Sequence, residues 1–144
     1  MATVKGVNRT VADAVTWDHT LDPGLFGGNV KCMIDTYEAA ALAAGSVIEM
    51  GGDLPIGARV LGILVAHDAL GAATIDIGDT EDTDRYLNDY SVAAAGNKWC
   101  DLVDGMEYEV DKTVAATPDT QVVITTASAA ITGTIKLLIL YTQD

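Results

Sequence analysis

The sequence contains few of the residues from which metal, cofactor and nucleic-acid sites are built. Its 144 residues include two cysteines, two histidines and eight lysines or arginines, against 21 aspartates and glutamates. The resulting net charge of -13 repels phosphate groups, so a nucleic-acid partner is not expected. Neither a Walker loop nor a G-x-G-x-x-G fingerprint occurs in the sequence, and no cofactor is expected.

Long apolar segments are also missing. No window of 18 or more apolar residues occurs, so the sequence predicts no membrane-spanning helix and no membrane partner. The first 17 residues lack the contiguous apolar stretch of a secretory signal. Cys32 and Cys100 are far apart and lack the C-x-x-C spacing of zinc and redox sites, so we expect two buried free thiols.

The two histidines, His19 and His67, do not form a catalytic or zinc-binding pattern. A catalytic triad needs a nucleophile, a base and an orienting acid within mutual reach. Ser46, His67 and Asp68 supply these residue types, but the G-x-S-x-G elbow that exposes a serine nucleophile is absent. We expect His67 and Asp68 to end a strand at a solvent-exposed turn, and the sequence predicts no enzyme activity.

The chain is organised as short, apolar-rich segments separated by turn-forming residues, with no long amphipathic helix. This pattern predicts an all-β, jelly-roll-like sandwich or barrel of about eight strands. We expect a single domain over residues 29–144, preceded by an N-terminal arm and loop over residues 1–28. The segments predicted as strands are Asn29–Tyr37, Ser46–Met50, Arg59–Asp68, Ala72–Asp79, Asn97–Val103, Met106–Val110, Gln121–Ser128 and Gly133–Thr142.

One segment between predicted strands has the composition of a helix. Glu38–Gly45, with the sequence EAAALAAG, has high helix propensity but lasts barely two turns before its glycine. Helices of that length are marginal in water, so we expect a loop or a short helical turn here.

The strongest predicted strand, Arg59–Asp68, is apolar on both faces, with Leu61, Ile63 and Val65 together on one of them. In the last strand, Leu138 and Leu140 lie on the face opposite the expected core residues. A two-sheet sandwich normally leaves its outer faces wet. Such outer faces are covered either by loops or by other subunits, and the second option motivates a homo-oligomer hypothesis.

The N-terminal residues differ from the rest of this acidic chain. Residues 1–12 carry two cations and no acid, and apolar residues recur through residue 17. A solvated tail does not need these apolar residues, so we expect an arm that docks on a partner. The interface candidates are Val4, Lys5, Val7, Arg9 and Trp17.

The stretch Ile75–Leu87, IDIGDTEDTDRYL, holds five carboxylates and a single cation, Arg85. An EF-hand loop requires glycine at its sixth position, and counting from Asp79 that position holds Asp84, so the EF-hand pattern fails. Two interpretations stay open. Asp79, Glu81 and Asp84 are candidate ligands of an irregular calcium site, or the segment is a solvated acidic turn in which Arg85 pairs with one carboxylate.

Several local patterns of Gly45–Leu87 resemble the small structural proteins of tailed bacteriophages. These patterns are a short strand after Gly45, L-P-x-G-A-x-V at the start of a long apolar strand, and T-x-D-I-G followed by an acidic D-x-D-R-Y turn. The polar and apolar N-terminal arm is also similar to theirs. The resemblance is to auxiliary or head-decoration proteins, which are made alongside the major capsid protein, and it covers about a third of the chain.

This resemblance implies a non-enzymatic decoration or cement protein that binds and stabilises the outer surface of a phage capsid. It implies two partners, the major capsid protein and copies of the chain itself, as a trimer or another homo-oligomer. The expected location is the virion surface after assembly in the host cytoplasm, and the resemblance supplies no catalytic residues. The alternative is a fibre-type or receptor-type module that recognises carbohydrate or calcium through the acidic turn at residues 79–85.

Overall fold

The computed structural model describes residues 29–101, 108–110 and 121–143. The N-terminal arm and the turns predicted at Asp104–Gly105 and Thr117–Thr120 lie outside these residues. The described residues contain strands and no helix. The strands are β1 (Asn29–Leu42), β2 (Val47–Met50), β3 (Arg59–His67), β4 (Thr74–Gly78), β5 (Leu87–Ser91), β6 (Gly96–Trp99), β7 (Val122–Ala127) and β8 (Ile131–Gln143).

The strands form two four-stranded sheets. The first sheet has the order β1-β8-β3-β6 and the second has the order β2-β7-β4-β5. Within each sheet, every pairing of neighbouring strands is antiparallel. The chain crosses to the other sheet at every connection except the one between β4 and β5, which is how a jelly roll wraps its strands. Of the predicted all-β sandwich or barrel, the sandwich is confirmed.

The core lies between the inner faces of the two sheets and consists mainly of branched apolar side chains. Successive residues of a strand point to opposite faces, and alternate residues of β8 point into the core, as the sequence pattern predicts. The buried residues of β8 include Ile135, Leu137, Ile139 and Tyr141, and those of the second sheet include Ile48, Ile75, Ile77, Val122 and Ile124.

Strand β1 is longer than the sequence predicts. The expected loop or helical turn at Glu38–Gly45 is wrong, because β1 continues through Leu42 before the chain turns. Pairing with β8 explains the difference. Ala39 is buried opposite Gly133, and after a register shift Leu42 pairs with Ile131. Ladder hydrogen bonds and burial here outweigh the helix propensity of the alanines, which is a weak local preference.

Strand β3 contains a bulge that changes which side chains it buries. Its pairing with β8 shifts register between Val60 and Gly62, so Leu61 has no partner of its own. The predicted face of Leu61, Ile63 and Val65 is therefore wrong at its first member. Val60 joins Ile63 and Val65 in the core, and Leu61 is 39% exposed.

The observed strands differ from the predicted ones at two further places. Strand β5 was not expected, since only two apolar residues interrupt its polar sequence LNDYS. It pairs with β4 at the edge of the second sheet. The predicted strand Met106–Val110 is wrong over its described residues, 108–110, which form only an isolated bridge between Glu109 and Arg59.

Within residues 29–101, 108–110 and 121–143, no helix is long and apolar enough to cross a membrane.

Truncation of a buried side chain in strand β8 tests the assignment of the core. We expect Ile135→Ala to lower the free energy of unfolding by about 3 kcal/mol, because Ile135 is completely buried and its loss leaves a cavity. Urea denaturation measures the change. Val47→Ala is the control, since Val47 is an exposed β-branched residue on an edge strand, and it should cost less than about 1 kcal/mol. Equal losses in the two variants would contradict the assignment.

Candidate assembly surface

An apolar row crosses the whole outer face of the first sheet. Ile34 of β1 pairs with Leu138 of β8, Leu138 with Leu64 of β3, and Leu64 with Trp99 of β6. Leu137 and Ile139, which precede and follow Leu138 in the chain, point into the core. Leu138 and its cross-strand partners therefore point outward. Ile34 is 74% exposed and Trp99 is 53% exposed, while the two leucines between them are half-buried.

A second set of residues widens this apolar row. The indole of Trp99 lies against β3 at Gly62, where an added Cβ would stand 3.1 Å from Cζ3 of the ring. The neighbouring cross-strand position holds Leu140, which pairs with Cys32 on β1 and with Gly62 on β3. We call Ile34, Leu64, Trp99, Leu138 and Leu140 together the apolar band.

The outer face of the second sheet is polar by comparison. Its middle row runs from Val47 through Thr125 to Asp76, and Asp76 accepts a hydrogen bond of 2.6 Å from the backbone N–H of Asp89. Glu49 of the edge strand is also exposed. This face carries more polar and acidic residues than the first, although outward-facing Val123 is buried, so the two faces of this molecule differ in composition.

Charge follows the same division. The strands of the first sheet carry four cations and two acids, a net charge of +2, although the chain as a whole carries -13. The strands of the second sheet carry no cation and three acids, a net charge of -3. The charged strand residues are Lys31, Asp35, Glu38, Arg59, Lys98 and Lys136 in the first sheet and Glu49, Asp76 and Asp89 in the second.

The acidic turn after β4 is organised around one buried carboxylate. Asp79 is 2% exposed, and its Oδ1 accepts hydrogen bonds from the backbone N–H groups of Asp82, at 2.8 Å, and Glu81, at 3.2 Å. The Nε of Arg85 donates to Oδ2 of Asp79 at 2.5 Å. The guanidinium carbon also lies 3.6 Å from the ring centroid of Tyr108. Asp79 therefore holds the turn together from inside.

Two further observations show how tightly this turn is built. Burial disfavours the charge of Arg85, but the hydrogen bond and charge of Asp79 outweigh burial and raise the pKa of the guanidinium. At Gly78, where the turn leaves β4, an added Cβ would stand only 2.0 Å from the backbone oxygen of Asp82. Only glycine fits that approach of backbone to backbone.

The structure separates the three candidate calcium ligands. Asp79 points inward, whereas Glu81 and Asp84 are exposed, and Asp84 accepts a hydrogen bond from Asn88 at 2.9 Å. Over the described ranges, no three histidine, cysteine, aspartate or glutamate side chains form a group that could hold a metal ion. The pairing of Arg85 with one carboxylate agrees with the second interpretation of the sequence. The pair is nevertheless largely buried, where a solvated pair was expected.

His67 is buried, contrary to the expected solvent-exposed turn. Its Nδ1 lies 2.7 Å from the backbone oxygen of Asp68 and its Nε2 lies 3.3 Å from the hydroxyl of Tyr90 on the other sheet. Asp68 is exposed, and its carboxylate accepts the backbone N–H of Thr134 at 3.1 Å, which lowers its pKa. The backbone N–H of Ser46 instead bonds the side chain of Thr126. These residues tie strands together rather than forming a triad.

The two cysteines are free, as predicted, but they are not both buried. Cys32 is exposed because it sits on the outward face of an edge strand, so the expectation of a buried thiol is wrong there. Cys100 is largely buried, and burial raises the pKa of its thiol to about 12.

Sequence reasoning identified only part of this surface. It placed Leu138 and Leu140 on an outer face, but it did not connect them to Ile34 or Trp99, which are distant in sequence. Only the order β1-β8-β3-β6 brings these residues into one row. The five interface candidates of the N-terminal arm lie outside the described residues: Val4, Lys5, Val7, Arg9 and Trp17.

Comparison with known proteins identifies the fold in two phage capsids. No protein-family profile matches the chain, and no curated protein matches its sequence. A chain in the capsid asymmetric unit of cyanophage Pam1 is similar, with a TM-score of 0.68 and 23% identity over all of both chains. A chain in the capsid of Ralstonia phage GP4 is also similar, with a TM-score of 0.62 and 21% identity. That alignment covers 81% of this chain and 86% of the other.

Removal of the charge on Asp79 tests the role of the buried pair. We expect Asp79→Asn to lower the free energy of unfolding by about 2–3 kcal/mol, because Arg85 then loses its carboxylate partner. Urea denaturation at neutral pH measures the loss. Asp53→Asn removes one charge at an exposed position outside the turn and should change stability by less than about 0.5 kcal/mol. A tolerated Asp79→Asn would show that the pair is dispensable.

The exposed carboxylates of the turn give a pH-dependent prediction. The pKa of Asp84 is raised above its ordinary value of 3.8, first by a hydrogen bond shared with Asp82, and further by burial and by the charge of Asp82. A raised pKa in the folded state means that ionised Asp84 disfavours folding at neutral pH. We expect Asp84→Asn to raise the melting temperature at pH 7, and the gain to shrink as the pH falls and to vanish well below pH 3.8, where Asp84 is protonated in both states. A gain that is independent of pH would contradict this origin.

Proposed function

We propose that this chain is a non-enzymatic structural protein of a phage virion, and that it binds and stabilises the outer surface of the capsid as a decoration or cement protein. The observation that carries the proposal is the full-length match to a chain of the cyanophage Pam1 capsid asymmetric unit. Fold likeness alone does not define function. The surface and charge of this molecule supply the further support.

The extent of the match favours an auxiliary component over the shell-forming protein itself. The alignment spans 100% of this chain and 100% of the cyanophage chain, so the two compared chains are similar in size. A sandwich of this size suits a protein that is added to a shell.

The difference between the two outer faces fits attachment to a surface. A protein bound on a shell needs one face that contacts protein and another that contacts water. The apolar band lies on the first sheet, whereas acids dominate the second sheet. A net charge of -13 suits the solvent side of a capsid better than its DNA-filled interior, where phosphates repel it.

The proposed partners are the major capsid protein and further copies of the chain, in a trimer or another homo-oligomer. The N-terminal arm is proposed to contact the shell, since its two cations and its apolar residues suit an acidic, partly apolar protein surface. The protein is proposed to reside on the virion surface after assembly in the host cytoplasm. No observation favours the alternative fibre-type module, because the carboxylate at the centre of the acidic turn is already bonded to Arg85.

Binding to empty shells tests the proposal directly. Shells assembled from the major capsid protein of the same phage are mixed with the purified chain and sedimented. We expect the chain to co-sediment at a fixed ratio to the capsid protein and to raise the melting temperature of the shells, because a ligand of the assembled state stabilises it. A chain that stays in the supernatant at high micromolar concentration would refute the capsid role.

A truncation separates the role of the arm from that of the domain. We expect deletion of residues 1–17 to abolish co-sedimentation while leaving the urea midpoint of the domain unchanged. The control replaces Lys5 and Arg9 with glutamine in the full-length chain, which removes the two charges and keeps the apolar residues. If truncated chains still occupy shells fully, the arm is not the attachment element, and the capsid role stands without it.

A further inference from the structure

The apolar band departs from what the outer face of a sandwich normally shows. Along each strand of such a sheet, outward residues alternate with inward, core residues. The outward residues are mostly polar, as they are on the second sheet. On the first sheet, four cross-strand partners in succession are apolar, and the row spans roughly 14 Å across four strands. Contiguous exposed apolar patches on soluble proteins mark interaction sites.

The row has a definite shape. Its two ends, Ile34 and Trp99, are the most exposed side chains, and the two leucines between them are half-buried. A two-fold axis that lies in the plane of the contact and runs parallel to the strands brings two such faces together with their ends exchanged, so that Ile34 of one copy can contact Trp99 of the other. The next cross-strand row, which includes Thr36, Lys136 and Asn97, is polar and borders the band on one side. An apolar centre with a polar rim is the usual composition of a protein interface.

The distribution of charge favours a copy of the same chain as the occupant. Two copies that each carry -13 repel one another, and the repulsion is smallest where the local charge is neutral or positive. The strands of the first sheet carry net +2, which falls to +1 when Arg59 is left out because it is buried and paired with Glu109 at 2.7 Å, and the band itself has no charged residue. Contact through the first sheet also leaves the two acidic second sheets on opposite sides of the pair, at their greatest separation.

We propose that the apolar band binds the apolar band of a second copy of this chain, with the two first sheets packed face to face. The inference rests on the proposed function and deepens it, since it names the surface through which the proposed homo-oligomer forms, and the two-fold contact makes that oligomer a dimer rather than a trimer. The contact is apolar at its centre and is made before any capsid is present.

Mass measurement in solution tests the contact with a matched pair of variants. Ile34→Lys and Val47→Lys each place a lysine at an exposed β-branched position on an edge strand, one on each sheet. Size-exclusion chromatography with light scattering at micromolar to high micromolar concentration should give an oligomer for the native chain and for Val47→Lys. Ile34→Lys should give the monomer mass of 15.0 kDa. Trp99→Ser, at the other end of the row, should also give the monomer.

Thiol labelling locates the contact without any substitution. Cys32 lies beside the band, and Cys100 reacts slowly because burial raises its pKa to about 12, so a maleimide reports on Cys32. Dilution of the native chain should separate the copies and raise the labelling rate per molecule. Raising the salt concentration from about 0.05 to about 0.5 M should strengthen the association, because salt screens the repulsion and an apolar contact persists.

Several outcomes would overturn the inference. These are a native chain that stays monomeric at high micromolar concentration, an Ile34→Lys variant that folds and stays oligomeric, and a Cys32 labelling rate that does not change when the oligomer dissociates. If Ile34→Lys unfolds, Trp99→Ser decides in its place. The shell-binding assay is separate: a native chain that self-associates through the band but ignores shells refutes the capsid role and leaves this inference standing. A chain that binds shells but stays monomeric refutes this inference and leaves the capsid role standing.

Discussion

The register of β8 against its two neighbours is the constraint on which the rest of the first sheet depends. Strand β8 pairs with β1 on one side and with β3 on the other, and its alternate residues face the core. A slip of one residue would exchange the inner and outer sets, placing Leu138 inside and Leu137 in water. One register therefore produces both the apolar core and the apolar band, and the bulges in β1 and β3 adjust their strands to it.

Strand alternation made much of the fold predictable from sequence. The inward residues of β8 and of β4 follow from simple periodicity, because a half-buried strand repeats every two residues. The extension of β1 and the bulge at Leu61 could not be predicted in this way. Each is fixed by a partner strand about 80 to 100 residues away in the chain, and local propensity carries no information about that partner.

The surface features were predictable only as isolated residues. The sequence marked Asp79 as one of several acids in a turn, and nothing local distinguished the buried carboxylate from its exposed neighbours. Ile34 and Trp99 read as ordinary strand residues until the strand order placed them in one row. The same order separates charge between the sheets, although the composition describes the whole chain simply as acidic.

The separation of charge also determines what an approaching molecule experiences. Packed sheets lie about 10 Å apart, and the Debye length at physiological ionic strength is about 8 Å. A partner at the first sheet is therefore largely shielded from the acids on the second, and the reverse is also true. The formal charge of -13 governs the repulsion between distant particles, whereas close association is governed by whichever face is presented. The strands account for -1 of that charge, +2 in the first sheet and -3 in the second, so the remaining -12 lies outside the strands.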